Sequence, residues 1–156
     1  MEIKYNLGCG EDKRRGFINI DRSRKVSPDI LGDVTITPWI WGSESSVDLI
    51  FADNLFEHIR EERLLKVMQE CHRVLKPGGL LQIRVPISTP DNFMAMFSDS
   101  SHVNHNFTEE TYDWFDHRHI RWKQYGRAYG NPKFERIIQR RSGRFLEVEL
   151  KVIKCK

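Results

Sequence analysis

The sequence predicts an α/β fold: a mostly parallel sheet that opens on a glycine turn and ends in a C-terminal antiparallel hairpin, all within one domain over residues 1–156. Three observations carry this expectation. A short apolar run at residues 3–7 leads into the Gly-x-Gly turn of Asn6-Leu7-Gly8-Cys9-Gly10. Residues 47–52, 61–75 and 80–85 read as strand, amphipathic helix and strand, with Lys76-Pro77-Gly78-Gly79 stopping the helix, so they form a right-handed βαβ unit. Finally, residues 134–139 and 145–153 flank Ser142-Gly143 as the two arms of a hairpin.

The elements follow in order. Residues 3–7 form the first strand, and the two glycines after it let backbone approach a ligand more closely than a residue with a Cβ allows. Residues 17–20 form a second strand ending at Asp21. Parallel strands normally need a helical crossover of a dozen residues or more, yet only residues 11–16 are available. A helix of that length advances about 9 Å, against roughly 17 Å for the return along a five-residue strand. The first crossovers are therefore shortened. Residues 29–34 make a third strand edge, again reached without room for a long helix.

The strand at residues 47–52 ends at Asp53-Asn54, and the helix after it places Leu64, Leu65, Met68, Cys71 and Leu75 at helical spacing, with His72 on the same side. The section 88–119 lacks strand character. Residues 91–97 can form a short helix, and Thr108, followed by Glu109 and Glu110, is an N-cap for a helix carrying Tyr112, Trp114 and Phe115.

Composition narrows the function classes. With 39% hydrophobic and 30% charged residues in 156, the chain can bury one core. No apolar run approaches the roughly 20 residues needed to span a bilayer, and the N-terminus does not open like a secretory signal, so a cytoplasmic protein away from membranes is expected. Three cysteines without a Cys-x-x-Cys pair indicate neither a disulfide framework nor a thiolate zinc site. The net charge of +3 is uneven: residues 1–117 carry 13 basic against 19 acidic residues, and residues 118–156 carry 12 against 3.

Taken together, Asn6-Leu7-Gly8-Cys9-Gly10, Asp21, Gly32-Asp33, residues 47–58 and Arg73-Val74-Leu75-Lys76-Pro77-Gly78-Gly79 resemble the class I S-adenosylmethionine-dependent methyltransferases, above all compact members of the type 11 group. The resemblance spans about residues 3–86 and implies a Rossmann-like methyltransferase fold with S-adenosylmethionine as cofactor. It further implies that the backbone of Leu7, Gly8 and Gly10, with Cys9 between them, faces the methionine part. Asp21 would accept hydrogen bonds from the ribose hydroxyls, for which a carboxylate has the acceptor capacity. Asp33 would receive the adenine amine with the backbone of Val34 beside the ring, and Asp53 and Asn54 would lie at the methionine end. For each acid, a solvated residue at a strand end stays the alternative. Asn6 stands where the family usually has an acid, which removes a charge that helps order the turn.

Methyl transfer from a sulfonium is an in-line displacement whose leaving group departs neutral, so alignment does most of the work, and a hydroxyl or amine acceptor can still require a base. His102 and then His105 are the catalytic candidates, because the irregular segment that carries them follows the strand at 80–85. Asn54-Leu55-Phe56-Glu57-His58 resembles the Glu-x-x-Glu-His metal motif of certain O-methyltransferases, with Asn54 in place of the first acid. That resemblance implies Glu57, His58, His102 and His105 as ligands. Since Glu57-His58 can equally cap or pack the next helix, no metal site is assigned.

In the basic tail, Arg118, Arg121, Lys123 and Arg127 alternate with Trp122, Tyr125 and Tyr129, a mixture suited to phosphate contact and base stacking as well as to a solvated face. The leading expectation is a methyltransferase acting at oxygen on a small-molecule or saccharide acceptor, anionic substrates included. An RNA-modifying enzyme that binds nucleic acid through the basic C-terminal part, and a vestigial cofactor-binding module acting through a partner, stand as alternatives. The oligomeric state is not predicted.

Overall fold

In the computed structural model, the structure describes residues 2–87, 99–104 and 107–154, so the helix expected at 91–97 and the candidate His105 lie outside the described residues. Seven strands form a single sheet: β1 (Lys4–Leu7), β2 (Ile18–Asp21), β3 (Ile30–Leu31), β4 (Val47–Asp53), β5 (Leu75–Pro86), β6 (Phe134–Ser142) and β7 (Phe145–Val152). Their spatial order is β3-β2-β1-β4-β5-β7-β6. Neighbours among the first five strands are parallel, while β7 inserts antiparallel between β5 and β6. The chain order reverses between β1 and β4, where open α/β sheets leave a crevice outside the carboxyl ends of their strands.

The shortened crossovers are present, and side-chain amides do the work that helices would otherwise do. Asn6, buried in β1, donates from Nδ2 to the Asp12 carbonyl at 2.9 Å and to Asn19 Oδ1 at 3.0 Å. Asn19 Oδ1 also accepts from the Arg14 amide at 2.8 Å, and Asn19 Nδ2 donates to Asp29 Oδ2 at 2.9 Å. Both partners of Asn6 are acceptors, so an acid at this position would meet them with lone pairs alone. The glycine turn therefore takes its order from an amide network and does not depend on the charge that Asn6 lacks.

Between β3 and β4 the chain makes turns around a buried tryptophan. Trp39 is 2% exposed, stacks on Trp41 at 4.5 Å and donates from Nε1 to the Val34 carbonyl at 2.8 Å. Its amide donates to Glu70 Oε2 at 2.9 Å, and Arg73 closes the link with a 2.7 Å bond to the same oxygen and a 2.9 Å bond to the Gly42 carbonyl. Glu70 and Arg73 stand one turn apart on α1 (Glu61–Val74), the long crossover helix of the βαβ unit. Val67, Met68, Cys71 and Val74 bury its inner face, whereas the predicted Leu64 and Leu65 are only partly buried.

Three boundaries differ from expectation. The strand after α1 begins at Leu75, which pairs with Val47 before a bulge, so Leu75 ends no helix. β3 keeps two residues of its predicted six. Thr108 caps no α-helix: the segment forms a 3-10 turn over Thr111–Trp114 whose N-cap position is Glu110.

The apolar core packs α1, the tryptophan loop, Phe107, Tyr112 and Phe115 with Ile50, Ala52, Leu81, Ile83, Val148 and Leu150. Phe51, Gln82, Arg84, Glu147 and Glu149 alternate with these on the other face, half-buried, with Arg14 3.6 Å from the Phe51 ring centre and Arg84 3.6 Å from that of Phe145. No helix of the described residues is long and apolar enough to cross a membrane.

Candidate cofactor cleft

At the carboxyl ends of β1 to β4 lies a cleft of about 340 Å³ whose walls include Gly8, Asp21, Asp33, Val34 and Asn54. Gly8 has φ of 62°, and a Cβ on it would stand 2.6 Å from Leu55 Cδ1. Leu55, on the loop after β4, thus lies against the glycine backbone, and both line the cleft.

Asp21 is held from two sides. Its Oδ2 accepts from the Gly10 amide at 2.9 Å and its Oδ1 from the Ser23 amide at 2.8 Å. Among the described residues no cation pairs with it, so a fixed, charged acceptor faces the cleft. Asp33 folds into a tight turn in which Oδ1 accepts from both the amide and the hydroxyl of Thr35, at 2.9 and 2.7 Å. Val34 is buried, with its carbonyl bonded to Trp39. Asn54 adopts φ of 49°, a left-handed conformation that asparagine tolerates, and its amide donates to the Arg84 carbonyl at 2.9 Å.

The remaining predicted residues stand around this group. Leu7 is fully buried within β1, and Gly10 reaches the site through its bond to Asp21. Cys9 is buried with its thiol pushed up by desolvation and then by the Asp21 charge, so it remains a thiol and packs. Asp53 lies elsewhere: it lines a second cavity with Arg14, Phe51 and Glu147, where its Oδ1 accepts from Arg84 at 3.0 Å. The two side chains stay linked across the chain, because Asn54 Nδ2 donates to the same Asp53 oxygen at 3.0 Å.

Sequence reasoning did not place Thr35, Leu55 and Ser101 in the cleft wall, and it singled out His58 only as an implied metal ligand. For Thr35 the signal was its place two residues beyond Asp33, the spacing of an Asx turn. Ser101 and His58 meet through a 3.0 Å bond between His58 Nδ1 and the Ser101 carbonyl. This brings His102 to the cleft margin, its ring 4.9 Å from that of His58 and its Nε2 3.4 Å from Asp99 Oδ2. Beneath them Glu57 is wholly buried, and among the described residues neither carboxylate oxygen has a hydrogen-bond partner. Burial, with the Asp53 and Asp99 charges adding to it, pushes its carboxyl up to about 7.

Part of the basic tail is ion-paired. Arg118 bonds Asp116 and Glu135 at 3.2 and 2.9 Å, Arg121 bonds Glu110, and Arg136 bonds Asp113 at 2.7 Å. Trp122 turns inward to donate to the Pro132 carbonyl at 3.2 Å, while Tyr125 and Tyr129 stack at 5.9 Å. Lys123 and Arg127 remain exposed.

The family described as "Methyltransferase domain", of type 11, matches residues 7–83, the segment that contains the glycine turn, all four strand ends and α1. A malonyl-[acyl-carrier protein] O-methyltransferase from Coxiella burnetii is 46% identical over 52 residues, covering 33% of this chain and 17% of that protein. Its counterpart from Methylococcus capsulatus is 36% identical over 74 residues, covering 45% of this chain and 25% of its own length. The matched stretch is thus a quarter or less of these relatives. Among solved structures, a SAM-dependent methyltransferase from Archaeoglobus fulgidus superposes with a TM-score of 0.65 at 13% identity, covering 96% of this chain and 86% of that one.

Proposed function

Residues 7–83 being a type 11 methyltransferase match on a class I methyltransferase fold, we propose that the chain transfers a methyl group from S-adenosylmethionine to an oxygen of a small-molecule or saccharide acceptor. The observation that carries the reading is the convergence of Gly8, Asp21 and Asp33 on one cleft. The residues suit the cofactor. Gly8 leaves a surface that any Cβ would fill, Asp21 offers a vicinal diol two oriented acceptor oxygens, and Asp33 with Val34 offers an acceptor and an apolar edge to a purine.

Bound there, the cofactor supplies a methyl carbon activated by a sulfonium. Asp21 and Asp33 would hold the adenosine half, which would leave the acceptor the part of the cleft lined by Asn54, His58 and Ser101. Transfer from a sulfonium would release a neutral thioether, so the acceptor oxygen would need alignment but no protonation of the leaving group. It needs a route for its own proton, and His58 in the cleft wall, with His102 beside it, can take one while the two imidazoles are uncoordinated. One observation weighs on acceptor class: both curated relatives carry O-methyltransferase names.

Calorimetric titration with S-adenosylhomocysteine tests the reading. Wild type is expected to bind one equivalent, and Asp21→Ala to bind about ten- to a hundredfold more weakly, as befits loss of a charged hydrogen-bond acceptor. Absence of binding by wild type supports a vestigial module and overturns the proposal. Unchanged affinity in Asp21→Ala overturns the ribose assignment.

A further inference from the structure

The cofactor reading leaves Glu57 unexplained. It sits in the 3-10 turn Phe56–His58 with its side chain fully buried and, among the described residues, both oxygens without a hydrogen-bond partner. An ionised carboxylate in that state costs several kcal/mol unless a charge meets it.

The chain folds two histidines onto this carboxylate. The Glu57 carbonyl accepts from the amides of Val103 and Asn104 at 2.9 and 3.0 Å, which fastens the segment 99–104 over the turn. Donor atoms of Glu57, His58 and His102 then lie within 4.8 Å of one another. The outer contacts restrain both rings: the Ser101 carbonyl engages His58 Nδ1 at 3.0 Å, and Asp99 Oδ2 engages His102 Nε2 at 3.4 Å. A carbonyl or carboxylate behind each imidazole is the usual support of metal-ligating histidines. Ser101 and Asp99 are themselves joined, the hydroxyl and amide of the serine donating to Asp99 Oδ1 at 2.6 and 2.9 Å.

We infer that Glu57, His58 and His102 form a binding site for a divalent first-row transition ion, with its remaining coordination positions open to the cleft. Metal–ligand bonds of about 2.0–2.2 Å bring donors to about 3 Å from one another, a closure that side-chain torsions supply. Two imidazoles and one carboxylate select Zn²⁺, Co²⁺ or Mn²⁺, whereas Mg²⁺ and Ca²⁺ prefer all-oxygen sets. The open positions face the cleft because His58 and Ser101 line it. An oxygen donor of an acceptor molecule is the ligand class that would fill them.

The site is independent of cofactor binding, and its test uses metal alone. Tag-free, chelator-stripped full chain is titrated with Zn²⁺, Co²⁺, Mn²⁺, Mg²⁺ and Ca²⁺ by calorimetry, and the Co²⁺ form is read by its visible absorption. One equivalent of Zn²⁺ or Co²⁺ with micromolar or tighter affinity is expected, at least tenfold weaker in each of Glu57→Gln and His58→Ala. Glu57→Gln is isosteric, and circular dichroism establishes that it folds. His102→Ala provides a second route should it not. Absence of stoichiometric transition-metal binding, preference for Mg²⁺ or Ca²⁺, or equal affinity in the variants overturns the inference.

Discussion

Asp21 and Asp33 are both acids at strand ends, yet the structure uses them differently. Asp21 has one oxygen fixed by the Gly10 amide and the other by the Ser23 amide, whereas both bonds to Asp33 fall on Oδ1. The first is locked into the turn it serves. Gly8 completes that turn, and two separable costs attach to it. A Cβ there would adopt φ of 62° at about 1–2 kcal/mol, and it would meet Leu55 at 2.6 Å. Gly8→Ala is expected to lower stability by roughly 2 kcal/mol in denaturant melts and to abolish S-adenosylhomocysteine binding. Adding Leu55→Ala removes the overlap but not the backbone cost, so the double variant should regain part of the stability that its Leu55→Ala parent would predict. Strict additivity of the two changes would show that Leu55 and Gly8 do not meet. At this scale the sequence was informative wherever residue type is tied to backbone or charge, as with the glycines and Asp21. It singled out Asn6 and Glu57 but not their surroundings, which come from residues 19 and 99–104, beyond the reach of local spacing.

The elements show the same division between local and remote causes. The period of α1 was legible, because Met68 and Cys71 must face the sheet, but its end was not: Leu75 joins β5 because Val47 waits opposite it. β3 shrank to Ile30–Leu31 since only its pairing to β2 holds it. What no periodicity announced is the tie between α1 and the tryptophan loop, which stands in for a missing crossover helix. Glu70 is 8% exposed and receives the Trp39 amide as well as Arg73, whose guanidinium lowers its carboxyl pKa against the opposing push of burial. Glu70→Ala strands that amide and the guanidinium together. A loss of roughly 2–3 kcal/mol is expected in urea unfolding, the lower side of the range for a broken buried pair because Arg73 keeps some solvent. Glu70→Gln, which can still accept from the Trp39 amide, should lose about half as much. Near-neutral behaviour of Glu70→Ala would mean that the loop is held by Trp39 packing alone.

Across the whole molecule, His72 joins the βαβ unit to the C-terminal hairpin. Its Nε2 meets the Ile153 carbonyl at 3.2 Å, across 81 positions of sequence, and its ring stands edge-on to Phe134 at 5.3 Å. Burial holds the imidazole below its ordinary pKa of 6.5, and the nearby Lys154 cation acts in the same direction, while the Ile153 and Lys133 carbonyls oppose them. Lys154 is itself anchored over the end of α1, its ammonium donating to the Arg73 carbonyl at 2.8 Å. The sign of the linkage follows. Above pH 6.5 both folded and unfolded chains keep this imidazole neutral, and it contributes no pH dependence. As pH falls below 6.5 the unfolded chain takes up the proton before the folded one does, so stability declines with acidification until the folded pKa is reached. His72→Gln retains an amide able to donate to Ile153 and cannot titrate. Between pH 7.5 and 5.5 wild type is therefore expected to lose more of its unfolding free energy than His72→Gln, with the carboxylates common to both cancelling in the comparison. Parallel stability curves for the two proteins would show that the hairpin is seated without reference to the charge state of His72.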